Sequence, residues 1–266
     1  MTPAEAAGRL LMIGAGNMGG AMLRRWLDGG LPAERVTVVS PSGRAMPAGV
    51  RVVAAVPAEP FDTILLGHKP QQLDLVAPAL RGHAPRLMVS ILAGVELATL
   101  APLVDAPVVR AMPNLPVAIG KGVVALHGAR ADEAGARAAA LMAPLGLVEW
   151  IGVERAFDLV TALAGSGPAF LYRFVDALAA AGAALGLPAD QAARLALATV
   201  EGAALLAAGA DVAPGVLADR VASPKGSTRE GLDVLDRDDA LQRLLADTLA
   251  AATRRNREMA EAARTG

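Results

Sequence analysis

The sequence contains no cysteine. That excludes disulfides, thiolate metal sites and cysteine nucleophiles. Histidine occurs only as His68, His83 and His127, without ligand-like spacing, so no structural metal is expected. Long apolar runs are missing too. Leu159–Tyr172 carries no charge, but Gly165, Ser166, Gly167 and Pro168 interrupt it, and nothing approaches the ~18 clean apolar residues of a spanning helix. The first residues include Glu5 and lack a basic leader, so a secretory signal is not expected. Nor does charge of one sign accumulate: the formal net charge is −1, which argues against nucleic acid as a partner. These absences describe a cytoplasmic protein that leaves membranes alone and handles a small molecule.

What is present is apolar and segmented. Hydrophobic residues make up 54% of 266 positions, and much of that is alanine, which raises mean hydropathy without making a membrane span. The first half alternates strand-like runs with helical patterns, as an α/β domain with a parallel sheet requires. Strands are expected at Arg9–Ile13, Val36–Ser40, Val50–Ala54, Thr63–Gly67, Leu87–Ile91, Val108–Ala111, Gly122–Leu126 and Leu147–Ile151. Beyond about residue 155 the pattern is helical only. We therefore expect a Rossmann-like domain over 1–155 and an all-helical domain over 156–266. Pro168–Gly186 and Pro188–Ala208 are apolar around most of their circumference. Such helices need cover on nearly every side, which a second copy of the chain would supply. The alternative is that alanine merely lowers the contrast between faces.

Gly14-Ala15-Gly16-Asn17-Met18-Gly19 has the spacing G-x-G-x-x-G, after the strand ending at Ile13 and before a helix expected at Gly20–Leu27. Gly14 suits a tight turn, Gly16 a close approach to pyrophosphate, and Gly19 close packing of helix on strand. The helix start then offers free N–H groups to phosphate. After the second strand no acid stands ready for a ribose 2′-hydroxyl. Ser40 and Arg44 stand there instead, which suits a 2′-phosphate, so NADPH is expected ahead of NADH.

Taken with this loop, four further segments resemble pyrroline-5-carboxylate reductases: Gly67–Gln71, Val109–Pro116, Asp158–Ala169 and Ser223–Thr228, with Val89–Val95 as the strand entering the crevice. The resemblance spans almost the whole chain in order. It departs at His68, Leu115 and Lys225, where valine, threonine and a small residue are common. It implies hydride transfer from the nicotinamide to a cyclic imine bearing a carboxylate. It also implies a Thr228 hydroxyl near the imine nitrogen, with Glu154 and Asp219 close to the ligands. Free N–H groups at Gly226, Ser227 and Thr228 suit the substrate carboxylate, and Lys225, where the chain departs from the family, would add a cation beside it. Gly67, His68, Lys69, Pro70 and Ala93 would wall the cofactor. Ser227 and Glu230 have capping-box spacing, so a helix is expected to start there. The apolar helices of the second half lead us to expect a homo-oligomer, a dimer or larger.

Two other readings use the same residues. A β-hydroxyacid dehydrogenase would need a catalytic lysine on a long helix, whereas the helical half holds only Lys225, in a loop context. A non-catalytic NADPH-sensing relative would keep the fold without the reaction.

Overall fold

The chain, described over residues 1–265 in a computed structural model, forms two compact units. One comprises Met1–Ser166 with the C-terminal stretch from Ala252; the other is Gly167–Ala251.

The first unit is built on eight strands in the order β3-β2-β1-β4-β5-β6-β7-β8. They are β1 Leu10–Ile13, β2 Val36–Val39, β3 Arg51–Val53, β4 Thr63–Leu66, β5 Leu87–Ser90, β6 Val108–Pro113, β7 Gly122–Gly128 and β8 Gly146–Trp150. Each expected strand is present, with ends shifted by a residue or two. The first six run parallel, in the order of a dinucleotide-binding sheet. β7 then returns antiparallel to β6, and β8 lies parallel to β7. The reversal follows from chain length. Only a short 3-10 turn at Leu115–Ile119 joins β6 to β7, far less than a parallel crossover needs.

The helices in chain order are α1 Pro3–Ala7, α2 Asn17–Asp28, α3 Leu73–Leu80, α4 Leu97–Leu100, α5 Glu133–Met142, α6 Phe157–Val160, α7 Gly167–Ala184, α8 Ala189–Ala208, α9 Pro214–Val221, α10 Ser227–Asp236 and α11 Ala240–Thr265. The sheet is covered on both faces. Leu10 and Met12 of β1 pack with Met22, Leu23 and Trp26 of α2 and Leu141 of α5. Leu11 and Ile13 point the other way, to Leu73 and Leu80 of α3 and Leu100 of α4. This double burial explains why the strands read as unbroken apolar runs instead of alternating. Trp26 fixes α2 further by donating its indole N–H to the Leu141 carbonyl at 2.7 Å.

In the second unit α7 and α8 form a hairpin around the turn at Gly186, whose φ of +112° suits glycine. Gly182 faces the Ala192 methyl where the two helices pack. Only Ala192 and Ala196 are fully buried among the described residues of this unit. Leu171, Phe174, Leu205, Leu206 and Leu244 are exposed. No helix among the described residues is long and apolar enough to cross a membrane.

Candidate active site

The loops after β1, β2, β4 and β5 converge at the carboxyl edge of the sheet, where ligands of such sheets bind. Ile13 is buried at the end of β1, and Gly14 turns the chain with φ +87°. The Gly14 amide donates to the Val39 carbonyl at 3.1 Å, and the Gly67 amide to Ile13 at 2.9 Å, tying three strand ends together. Side chains are excluded at this junction. A Cβ on Gly14 would lie 2.8 Å from the His68 nitrogen, and one on Gly67 2.9 Å from the Gly14 oxygen. Ala15 and Gly19 are buried, with Gly19 set against the Gly14 carbonyl; Met18 is half-buried.

Gly16 and Asn17 are exposed, and nothing lies within 4 Å of where a Gly16 Cβ would be. Gly16 is the N-cap of α2, which begins at Asn17, three residues before the expected start. The first intrahelical bond at this end runs from Gly20 to the Gly16 carbonyl at 2.8 Å. The amides of Asn17, Met18 and Gly19 therefore have no intrahelical partner. A glycine-walled opening facing unpaired amides and a positive helix end fits a dinucleotide pyrophosphate.

Beyond β2, Ser40 starts a turn. Its Oγ accepts from the Arg44 amide at 3.3 Å, while the Arg44 side chain is exposed. Past β4, His68 is half-buried, Lys69 exposed and Pro70 half-buried. Ala93 is exposed on the turn after β5, whose Gly94 has Ala260 of α11 packed against it, 3.1 Å from a Cβ position.

Glu154 has partners within its own unit. Its carboxylate accepts from Arg110 at 2.7 Å and from the Leu97 amide at 2.8 Å. Partial burial works to raise its pKa, but those two hydrogen bonds and the guanidinium charge outweigh it and hold the carboxyl below its ordinary value. Arg110 is itself buried, with its guanidinium 4.7 Å from the centre of the Phe157 ring.

In the helical unit the turn Ser223-Pro224-Lys225-Gly226 closes through the Gly226 amide to the Ser223 carbonyl at 2.9 Å. Lys225 sits at the third position with φ +60°, and proline stands before it, the pattern of a type II turn. A Cβ on Gly226 would collide with the Ser223 hydroxyl at 2.4 Å. Here the expected capping box is corrected. Gly226, not Ser227, is the N-cap of α10, and no side chain caps the helix. The first intrahelical bond runs from Glu230 to the Gly226 carbonyl at 3.2 Å. The tight turn holds Gly226 in extended geometry, so Ser227 is already helical and its hydroxyl is released from capping. The amides of Ser227, Thr228 and Arg229 face outward unpaired, beside an exposed Thr228 hydroxyl that has no partner among the described residues. Asp219 bonds Arg229 at 2.7 Å.

Three features escape the sequence patterns. Asn114 is buried; its Oδ1 accepts from the Val123 amide at 2.8 Å, and its Nδ2 donates to the Ala164 carbonyl at 2.9 Å. It anchors the turn Thr161–Gly165, which is π-type and closed by Ser166 N–H to Thr161 at 2.8 Å. Buried Arg110 is the third. A polar residue inside an apolar run was the available signal for Asn114 and Arg110; nothing in the run marks the π turn. A groove of about 480 Å³ lined by Arg86, Asp132, Glu133 and Arg137 lies at the starts of β5 and β6. It is at the opposite edge of the sheet, and its two cations are matched by two carboxylates.

A parallel sheet with a glycine cradle at its carboxyl edge, joined in one chain to a helical unit whose α10 start is open to an anion, defines a dinucleotide-dependent oxidoreductase. Comparisons with known proteins narrow the class. Residues 9–94 match the family model "NADP oxidoreductase coenzyme F420-dependent", and residues 154–259 match "Pyrroline-5-carboxylate reductase dimerisation". The pyrroline-5-carboxylate reductase of Pseudomonas aeruginosa is 35% identical over 95% of this chain and 97% of its own length. That of Thermus thermophilus is 36% identical over 95% and 99%. The solved structure of the Coxiella burnetii pyrroline-5-carboxylate reductase superposes with a TM-score of 0.83 at 28% identity, covering 94% of this chain and 97% of its own. The chain belongs to the pyrroline-5-carboxylate reductase family.

Proposed function

We propose that this chain reduces 1-pyrroline-5-carboxylate to L-proline, with NADPH preferred over NADH. Family membership over nearly the whole chain carries the reading. Bound NADPH supplies the hydride that reduces the imine carbon. The chain's own residues bind and orient. The amides of Asn17, Met18 and Gly19 hold the pyrophosphate, with Ser40 and Arg44 at the 2′-phosphate and the backbone from Gly67 to Pro70, with Ala93, as walls. The start of α10 takes the substrate carboxylate on the amides of Ser227 and Thr228. The Thr228 hydroxyl both donates and accepts, so it can hydrogen-bond the imine nitrogen in either protonation state. A protonated imine already accepts hydride readily, so a strong general acid is not required.

The dinucleotide is held within residues 1–155, and the substrate and a second subunit by 156–266. Exposed apolar side chains on α7 and α8 support a homo-oligomer of at least two copies. We place the protein in the cytoplasm, as suits an enzyme drawing on a reduced nicotinamide pool. A β-hydroxyacid dehydrogenase reading is disfavoured because Lys225 sits on a turn and not on a helix. Following NADPH absorbance with pyrroline-5-carboxylate as substrate tests the reading. Saturable, substrate-dependent oxidation is expected. Binding of NADPH with no turnover would leave the cofactor-sensing alternative.

A further inference from the structure

We infer that His68 is a specificity contact to the nicotinamide half of the dinucleotide, accepting a hydrogen bond through Nε2. The inference rests on the cofactor reading above. His68 follows β4 directly, and its backbone lies where a Gly14 side chain would have to be, so it borders the phosphate loop itself. Its Nδ1 lies 2.9 Å from the Lys69 carbonyl oxygen. A carbonyl only accepts, so Nδ1 carries the ring proton and Nε2 presents a bare lone pair. Burial lowers the pKa of the ring, the Lys69 bond opposing it less strongly, which keeps this neutral tautomer.

Nε2 is buried and has no partner among the described residues. Native proteins leave few buried acceptors unsatisfied, and such an atom beside a binding loop calls for a donor from a ligand. Sheet order says which part of the ligand arrives there. β1 stands between β2 and β4. With the 2′-phosphate end at Ser40 and Arg44 after β2 and the pyrophosphate on the loop after β1, the chain of the dinucleotide continues toward β4. The half that reaches His68 is therefore the nicotinamide ribose and its carboxamide. Both carry donors, and the Lys69 carbonyl is already engaged by Nδ1.

Calorimetric titration of the full-length protein with NADP⁺ and with 2′,5′-ADP, which lacks the nicotinamide half, tests this. His68→Phe keeps the ring shape and removes the acceptor. It should weaken NADP⁺ about threefold to tenfold, the worth of one net hydrogen bond, and leave 2′,5′-ADP unchanged. His68→Gln restores an acceptor and should recover most of the loss. The 3-acetylpyridine analogue of NADP⁺ separates the donors. If the wild-type advantage disappears with it, the carboxamide is the partner; if it persists, a ribose hydroxyl is. In ¹⁵N spectra Nε2 should be unprotonated in the free protein and shift with NADP⁺ but not with 2′,5′-ADP. Equal losses for both ligands in both variants, unchanged NADP⁺ affinity in His68→Phe, or a protonated Nε2 would overturn the inference. Failure of wild type to bind NADP⁺ at all would instead overturn the cofactor reading on which it stands.

Discussion

Arg44 has an exposed side chain just past the turn that Ser40 begins, where no carboxylate is available for a ribose hydroxyl. Arg44→Ala should weaken NADPH by about 1–3 kcal/mol, the range of a charge-assisted bond, and leave NADH nearly untouched. Dissociation constants for the two cofactors check it, and equal losses would remove Arg44 from the phosphate. Thr228 is tested by a pair of variants. Thr228→Ala should lower kcat and kcat/KM together, while Thr228→Ser keeps much of the activity; full turnover in the alanine variant would leave Thr228 without a role in the transition state. Lys225 carries two opposed expectations. Its φ of +60° strains a side-chain-bearing residue, so Lys225→Gly should stabilise the protein by about 0.5–1 kcal/mol after the added freedom of the unfolded chain is counted. The same change removes a cation beside the proposed carboxylate site and should raise KM severalfold with kcat nearly constant, more so at low salt. Thermal unfolding and kinetics at two ionic strengths separate the effects. The identity of Lys225 was visible as unusual in the sequence. Its backbone strain was not, because φ depends on the turn that Pro224 and Gly226 close around it.

Among the elements, the strands were the most legible, since burial on both faces leaves each as an apolar run bounded by turn residues. Direction was less legible. β7 reads like any other strand, and only the short connection from β6 makes it antiparallel. Helix starts were misread where glycine takes the cap. Gly16 and Gly226 supply backbone geometry without a side-chain oxygen, so patterns built on serine or threonine caps miss them. The tie between β6, Glu154 and the start of α4 was hidden for another reason: Arg110, Glu154 and Leu97 are distant in sequence and meet only in the fold. Its pH dependence has a definite sign. The folded pKa of Glu154 lies below the ordinary 4.5, so its contribution is present above that value and is lost as pH falls through the folded pKa. Glu154→Gln should cost about 1.5–3 kcal/mol at neutral pH, the range for hydrogen bonds to a charged group. The gap to wild type should close in acid, where both side chains are neutral. Urea unfolding across pH would show a gap that does not narrow if the carboxylate charge were unimportant.

For the whole molecule, the helical unit has almost no interior of its own. Two buried alanines cannot offset the ordering of 85 residues, so its stability has to come from apolar surface covered on association. The unfolding midpoint should therefore rise with protein concentration. Leu205→Asp with Leu206→Asp should shift sedimentation toward monomer and lower that midpoint; an unchanged profile would mean these leucines lie outside the interface. The apolar circumference of α7 and α8 made this legible beforehand. The return of the chain did not show, because α11 turns from leucine-bearing to arginine-rich near Ala252, a change that reads as a solvated helix end, while its residues from Ala252 belong to the strand-bearing unit. There Ala260 packs on Gly94, and Asn256 donates to the Asp158 carbonyl at 3.0 Å. The nucleotide-binding half is thus discontinuous in the gene. Expressed as residues 1–166, it would leave Gly94 and Asp158 uncovered, and a synthetic peptide beginning at Ala252 should bind that fragment in trans and steady it, as two pieces of a split protein do.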